Sequence, residues 1–171
     1  MTTRIINIAD IELPARPASV AAPGEAAQRF DGRIGTVGTR IGARKLGYNI
    51  TAVPPGKRAF PLHSHRVNEE MFFVLEGEGE VRIGAERHRV RRGDFIACPP
   101  GGPETAHQII NTGKDELKYL AVSTMEYPEI CDYPDSGKFM VAELPRNADG
   151  STKGFRFVGR TESATGYWDG E

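Results

Sequence analysis

The feature of this sequence that most constrains its fold is the regular spacing of turn signals between short runs of β-favouring residues. After Gly32, glycine and proline recur at intervals of about eight to twelve residues. The runs between them lack the 3.6-residue periodicity of amphipathic helices. Many short strands joined by tight turns are typical of a β-sandwich or barrel and not of an α/β sheet. The sequence therefore predicts an all-β fold.

The strand pattern divides the chain into three parts. We predict strands at Leu46–Val53, Glu70–Leu75, Val81–Ile83, His88–Arg91, Phe95–Cys98, Ala106–Asn111, Leu117–Met125, Lys138–Leu144 and Phe155–Gly159. The pattern weakens from Glu126 onward, and Tyr133–Gly137 is predicted to be a turn. We expect an N-terminal arm (1–32), a β-barrel (33–145) and a C-terminal extension packed on the barrel (146–171). The arm, rich in proline, could lie along a neighbouring subunit or pack loosely on its own chain.

Charge and apolar content exclude several classes of partner. The chain has 22 basic and 23 acidic side chains, so its net charge of −1 does not favour nucleic acid or acidic lipid. It shows no helix-turn-helix pattern, no apolar run of membrane-spanning length and no leader-like segment at its start. Cys98 and Cys131 form no disulfide framework and are predicted to be reduced thiols. We therefore expect a cytoplasmic protein with no nucleic-acid or membrane partner.

Three of the four histidines and one carboxylate form the candidate site. His63 and His65 are two residues apart, so on a strand they project to the same side and can converge on one metal ion. Glu70 shares a strand face with Phe72 and Val74, where a carboxylate needs a partner because an isolated buried charge is costly.

The fourth candidate, His107, shares a face with Ile109 and Asn111. A single buried histidine is more often a hydrogen-bonded core residue than a ligand, so the conjunction of the two segments carries the argument. Glu69 could in principle replace Glu70 as a ligand, but the strand face favours Glu70. His88 lies in a basic run that we interpret as a solvated hairpin face.

These two segments resemble the paired signatures of the cupin superfamily, specifically its small, single-domain, bacterial-type members. Gly56, His63, His65, Glu70 and Gly77 match the first signature, and Gly93, Pro99, Gly101, His107 and Asn111 match the second. Gly56 precedes His63 by one residue more than is usual, and the loop from Gly101 to His107 is three residues longer. The resemblance covers roughly Leu46 to Thr124, and it implies a double-stranded β-helix (jelly-roll) barrel with one divalent metal ion.

The resemblance also implies what the site would do. Three histidines and one glutamate suit manganese, iron, nickel, cobalt or zinc and leave coordination positions open. The implied function is a metalloenzyme acting on a small oxygenated metabolite, by sugar-phosphate isomerase-like, dioxygenase-like, decarboxylase or lyase chemistry. The alternative is a non-catalytic module that binds a sugar or organic acid beside a structural metal. A homodimer is also implied, since cupins often pair sheets or exchange terminal strands.

Residues that would assist the metal are harder to assign from the sequence. Candidates near the expected barrel interior are Tyr48, Gln108, Lys118 and Tyr119, with Arg58 as a contact for a phosphorylated substrate. Asp135 and Lys138 could belong to a lid over the barrel mouth, although a surface turn is the simpler interpretation. No general base is assigned.

Overall fold

The structure of the chain, a computed structural model, describes residues 4–144 and 153–171. These residues form twelve strands: β1 Arg33–Thr36, β2 Leu46–Val53, β3 Ser64–His65, β4 Glu70–Glu76, β5 Glu78–Ile83, β6 Glu86–Arg91, β7 Phe95–Cys98, β8 His107–Ile110, β9 Leu117–Thr124, β10 Glu129–Tyr133, β11 Lys138–Glu143 and β12 Phe155–Gly159. Short 3-10 helices lie at Ile8–Asp10, Gly24–Gln28, Gly38–Ile41, Pro103–Thr105, Pro134–Ser136 and Thr161–Ser163. The predicted all-β fold is confirmed.

The strands form three antiparallel sheets around one core. The largest has the order β1-β2-β9-β4-β7, the second β12-β11-β10-β3 and the third β6-β5-β8. This is the double-stranded β-helix that the resemblance implied. Several neighbours in the sheets are far apart in sequence, so the topology brings together segments that the sequence order does not.

Period-two alternation turns one face of each strand toward the core. On β4, Phe72 and Val74 are buried, and Glu70 lies on the same face at the end of the strand. The buried cluster consists of Val53, Ala59, Phe72, Val74, Val81, Val90, Ile96, Cys98, Ile109, Leu117 and Tyr119. The Phe72 ring contacts Tyr119 on one side and lies 5.5 Å from the His107 ring on the other. The apolar core therefore extends directly up to the candidate site.

The N-terminal arm packs on its own chain at Gly35. A Cβ atom at Gly35 would lie 2.4 Å from Ile11 Cγ2 and 2.6 Å from the carbonyl oxygen of Glu12. Contacts this short would force the arm away, so the absence of a side chain at Gly35 allows the arm to lie against β1. Arg16, further along the arm, donates a hydrogen bond to the Ala59 carbonyl oxygen.

The C-terminal part of the chain adds a strand to the second sheet. β12 pairs antiparallel with β11, with Phe139 opposite Gly159 and Glu143 opposite Phe155. The first residues of the expected extension, 146–152, lie outside the described residues. In the part of the chain that the structure describes, no helix is long and apolar enough to span a membrane.

Candidate metal centre

Four side chains converge at one end of the core. Each of His63, His65, Glu70 and His107 offers one potential ligand atom, and these atoms all lie within 4.8 Å of one another. Glu70 Oε2 is 2.9 Å from His107 Nε2, 3.5 Å from His65 Nε2 and 3.8 Å from His63 Nε2. The residues that the two sequence segments nominated are therefore neighbours in space.

Each of the three sheets contributes to this convergence. Glu70 comes from β4 in the five-stranded sheet, His65 from β3 in the four-stranded sheet and His107 from β8 in the three-stranded sheet. His63 joins the last two sheets, because its backbone N–H donates to the His107 carbonyl oxygen at 3.2 Å and it accepts in return at 2.8 Å. Backbone hydrogen bonds therefore fix the positions of the histidines, and the site depends on the closure of the whole fold.

Contacts at Nδ1 orient two of the imidazole rings. His63 Nδ1 lies 2.9 Å from the Pro61 carbonyl oxygen, and His65 Nδ1 lies 3.3 Å from both Glu129 Oε2 and Cys131 Sγ. A proton on Nδ1 leaves the Nε2 lone pair directed toward the shared point, as a metal-ligating histidine requires. His107 differs, because its Nδ1 is buried without a hydrogen-bond partner.

Burial and close charges act in opposite directions on the ionisation of the cluster. Burial, assisted by the neighbouring His107, lowers the pKa of His63. Burial also opposes the charge on His65, but its contacts with Cys131 and Glu70 outweigh that effect and raise its pKa. Desolvation would raise the pKa of Glu70, yet the hydrogen bond from His107 and the close imidazole of His65 hold it well below its usual value. The carboxylate is therefore ionised at neutral pH, as a ligand must be.

These residues fit a divalent metal ion. The Nε2 atom of His65 is buried and has no hydrogen-bond partner, although it faces the same point as the other donors. Two donors of one ion are separated by at most about 4.2 Å when each metal bond is about 2.1 Å, so these donor atoms, which lie within 4.8 Å of one another, would move closer together around an ion. Nitrogen and carboxylate donors suit the transition metals from manganese to zinc.

A second carboxylate, that of Glu129, contacts the Nδ1 side of the His65 ring. Glu129 accepts hydrogen bonds from the backbone N–H groups of Arg66, Val67, Asn68 and Ile130 and from the Asn68 side chain. Its side chain is only 5% exposed. Glu129 was not among the residues nominated from the sequence, because β10 was not predicted. The period-two series Glu129, Cys131 and Tyr133 was the signal that could have revealed it.

A cavity of about 540 Å³ opens beside Glu70. Its walls include Tyr48, Asn49, Ser123 and Tyr127. This volume lies within the range of about 300 to 1,000 Å³ that small-molecule sites occupy. We call this space the ligand cavity.

The other residues nominated from the sequence have different positions. Tyr48 lines the ligand cavity, whereas Tyr119 is buried in the core and Gln108 donates to the Phe60 carbonyl oxygen. Lys118 pairs with Glu76 on the outer surface of the sheet. Arg58 packs over the Phe30 ring and is not among the residues that line the ligand cavity.

Comparison with known proteins supports this assignment. The cupin domain family matches residues 49–123. An uncharacterised protein from Methanocaldococcus jannaschii is 39% identical over 75 residues, which are 44% of this chain and 57% of that protein. An oxalate-binding protein from Thermotoga maritima is 33% identical over 70 residues, which are 41% of this chain and 54% of its own. The chain therefore spans a little over half the length of these curated relatives.

The fold also matches that of a solved structure over nearly the whole chain. A sugar phosphate isomerase of the cupin superfamily from Silicibacter pomeroyi superimposes with a TM-score of 0.73 at 23% identity. The superposition covers 96% of this chain and 98% of that protein. At this level of identity the likeness concerns the fold alone. The chain is therefore similar to the cupin domain family over residues 49–123, which are less than half of its length, and its described residues have a fold like that of a cupin-superfamily protein.

Proposed function

We propose that His63, His65, Glu70 and His107 hold one divalent metal ion and that the chain is a metal-dependent enzyme acting on a small oxygenated metabolite. The observation that carries this proposal is that Glu70 belongs both to the histidine cluster and to the wall of the ligand cavity. Its carboxylate faces the three imidazoles, and the same residue lines the 540 Å³ ligand cavity. A ligand in that cavity would therefore lie next to the ion.

The chemistry divides between the metal and the protein. A bound divalent ion would supply Lewis-acid polarisation of an oxygen atom. The chain would supply orientation, since Pro61 and Glu129 direct the rings of His63 and His65. Phe72, packed against the His107 ring, would exclude water from the core side of the centre.

An isomerase-like reaction on a phosphorylated sugar is the reaction class we favour. We choose it as the first class to test because a solved structure of the same fold, from Silicibacter pomeroyi, is a sugar phosphate isomerase. An isomerisation needs a group that moves a proton beside the polarised oxygen. Tyr48 and Tyr127 line the ligand cavity and carry hydroxyl groups able to hold such a proton. Dioxygenase-like chemistry remains the proposal to test if the metal is iron.

Metal analysis tests the proposal directly. We would purify the chain without a metal-affinity tag and measure its metal content by mass spectrometry, together with His107→Ala and His88→Ala variants. The fourth histidine, His88, is exposed on the β5–β6 hairpin and provides the matched control. Near-stoichiometric metal in the wild type and in His88→Ala, but not in His107→Ala, supports the ligand set.

The identity of the metal then directs the activity assay. Iron would lead to measurements of oxygen uptake, and zinc or manganese would lead to isomerase and lyase substrates. A wild-type chain that neither carries metal nor takes it up would contradict the proposal.

A non-catalytic binding module is the second candidate. It is favoured by the likeness to the Thermotoga maritima oxalate-binding protein, which is 33% identical over 70 residues. On this alternative the metal would only position an organic acid or sugar. Binding of a candidate ligand by the metal-loaded chain, without turnover in the same assay, would favour it.

A homodimer and a cytoplasmic location remain predictions, and sedimentation analysis would test the first.

A further inference from the structure

A second cavity of about 510 Å³ lies beside the ligand cavity. Three cationic side chains line it: Arg16 from the N-terminal arm, Lys138 from β11 and Arg156 from β12. The aromatic rings of Phe60 and Tyr133 also belong to its walls. We call this space the basic pocket. Its lining contains no aspartate or glutamate among the described residues.

The three cations have no ion-pair partner within residues 4–144 and 153–171. The two aspartates nearest in sequence to Lys138, Asp132 and Asp135, pair elsewhere. Asp132 accepts from Arg66 at 2.8 Å, and Asp135 accepts from Arg82 at 2.9 Å. The described residues thus place no carboxylate in contact with these three cations, and Asp31 acts on Arg16 only from a longer distance. A concave site with uncompensated positive charge attracts an anion.

One of the three cations is held in place before any ligand arrives. The Arg16 guanidinium donates to the Ala59 carbonyl oxygen at 2.6 Å and lies 4.7 Å from the centre of the Phe60 ring. An arginine that is already positioned loses less conformational freedom when it binds an oxyanion. The arm that carries Arg16 is itself packed against β1 at Gly35.

Two aromatic residues of the basic pocket, Phe60 and Tyr133, lie next to the metal centre. Lys138 Nζ lies 5.9 Å from the Tyr133 ring, which stacks on the His63 ring at 6.2 Å. On the other side, the Phe60 ring is 6.3 Å from His63. Ile34 lines both the basic pocket and the ligand cavity. The basic pocket therefore borders both the ligand cavity and the residues that orient His63.

We propose that the basic pocket formed by Arg16, Lys138 and Arg156 binds the terminal phosphate group of a small phosphorylated metabolite. The inference rests on the proposed function, since it names the substrate class of the same site. Three uncompensated cations favour a phosphate monoester, with a charge of about −1.5 to −2, over a single carboxylate. Arginine also matches the geometry of phosphate oxygens through paired N–H donors.

Calorimetric titration of the chelator-treated full chain with inorganic phosphate tests this proposal. Removing the metal separates anion binding in the pocket from coordination of phosphate to an ion. We expect Lys138→Gln and Arg156→Gln each to weaken phosphate binding about tenfold, the loss expected for one charge-assisted hydrogen bond. Lys45→Gln and Arg40→Gln are the matched controls, because both side chains are exposed outside the pocket lining. Both controls should bind phosphate as the wild type does.

A second arm of the experiment distinguishes phosphate from a carboxylate. Acetate, titrated under the same conditions, should bind at least about tenfold more weakly than phosphate because it carries a single charge. Equal affinity for the two anions would overturn the choice of phosphate. No phosphate binding by the wild type, or equal binding by the wild type and both pocket variants, would overturn the pocket.

The outcome is separable from that of the metal analysis. Phosphate binding that depends on Lys138 and Arg156, together with a metal analysis in which the untreated chain neither carries metal nor takes it up, would preserve the basic pocket and reject the metal centre. Stoichiometric metal on the histidines with no phosphate binding would do the reverse.

Discussion

Two carboxylates lie on opposite sides of the His65 ring, and their surroundings differ. On the Nε2 side, Glu70 faces three imidazole nitrogens at 2.9 to 3.8 Å and borders the ligand cavity. On the Nδ1 side, Glu129 accepts hydrogen bonds from four backbone N–H groups and from Asn68. Glu129 is thus saturated by the protein, whereas the partners of Glu70 are groups that can also bind a metal.

The contrast separates a carboxylate that supports the structure from one that is available for function. A buried acceptor with many backbone donors ties a loop to a strand, and its loss leaves those donors unsatisfied. Here Glu129 ties the 66–68 segment to β10 and so fixes His65 at the end of β3. A carboxylate that faces only imidazoles is suited to share one cation with them.

The largest effect we predict is loss of stability in Glu129→Gln. The substitution should lower the free energy of unfolding of the metal-free chain by about 3 kcal/mol, because it removes a charge that several buried donors need. Urea unfolding followed by circular dichroism measures this value. Glu143→Gln, on the exposed face of β11, should change it by less than about 0.5 kcal/mol. If Glu70→Gln cost more than Glu129→Gln in the absence of metal, the contrast between the two carboxylates would be wrong.

For metal affinity we predict the opposite order, with a larger loss in Glu70→Gln than in Glu129→Gln. Glu70→Gln should weaken metal binding about 100-fold or more because a ligand is lost, and Glu129→Gln should weaken it about tenfold because only the orientation of His65 is affected. Competition with a chromophoric chelator measures the metal affinity of both variants, at a temperature where each variant is folded. Equal losses in the two variants would place Glu129 among the ligands.

Removal of the second contact at His65 Nδ1 should have a smaller effect. Cys131→Ala deletes the thiol at 3.3 Å but leaves Glu129 at the same distance. We expect metal affinity to change less than about threefold, because one charged acceptor suffices to orient the ring. The unfolding free energy should fall by about 1 kcal/mol from the small cavity created. A tenfold loss of metal affinity would show that the thiol, and not Glu129, orients His65.

The smallest effect concerns the two cysteines themselves, one beside each carboxylate. Cys98 on β7 lies opposite Glu70 on β4 in the strand register, and burial raises the pKa of its thiol to about 12. Cys131 is also free and buried. We expect little labelling of either thiol by iodoacetamide at pH 8 in the native chain and complete labelling of both in guanidinium chloride. Mass spectrometry of the labelled protein counts the modified thiols, and rapid native labelling of Cys131 would show that the Glu129 side opens.

Much of the fold followed from local patterns. The predicted strands Leu117–Met125 and Phe155–Gly159 correspond to β9 and β12 because their runs of β-favouring residues are bounded by turn signals. β10 was missed, since a five-residue strand that contains Glu129 and Asp132 between two prolines has little intrinsic β-propensity. Its pairing with β3 and β11 stabilises it, and that information lies in other parts of the chain.

The sequence by itself determined the all-β class and nominated His63, His65, Glu70 and His107, because strand periodicity and residue spacing are local properties. Only the tertiary structure decided that the nominated side chains share one point, since three separate sheets must close before they meet. It also decided the distinction between Glu70 and Glu129 and the grouping of Arg16, Lys138 and Arg156, which are far apart in the chain. The physical reason is that burial, hydrogen-bond saturation and uncompensated charge depend on long-range contacts, which no local pattern encodes.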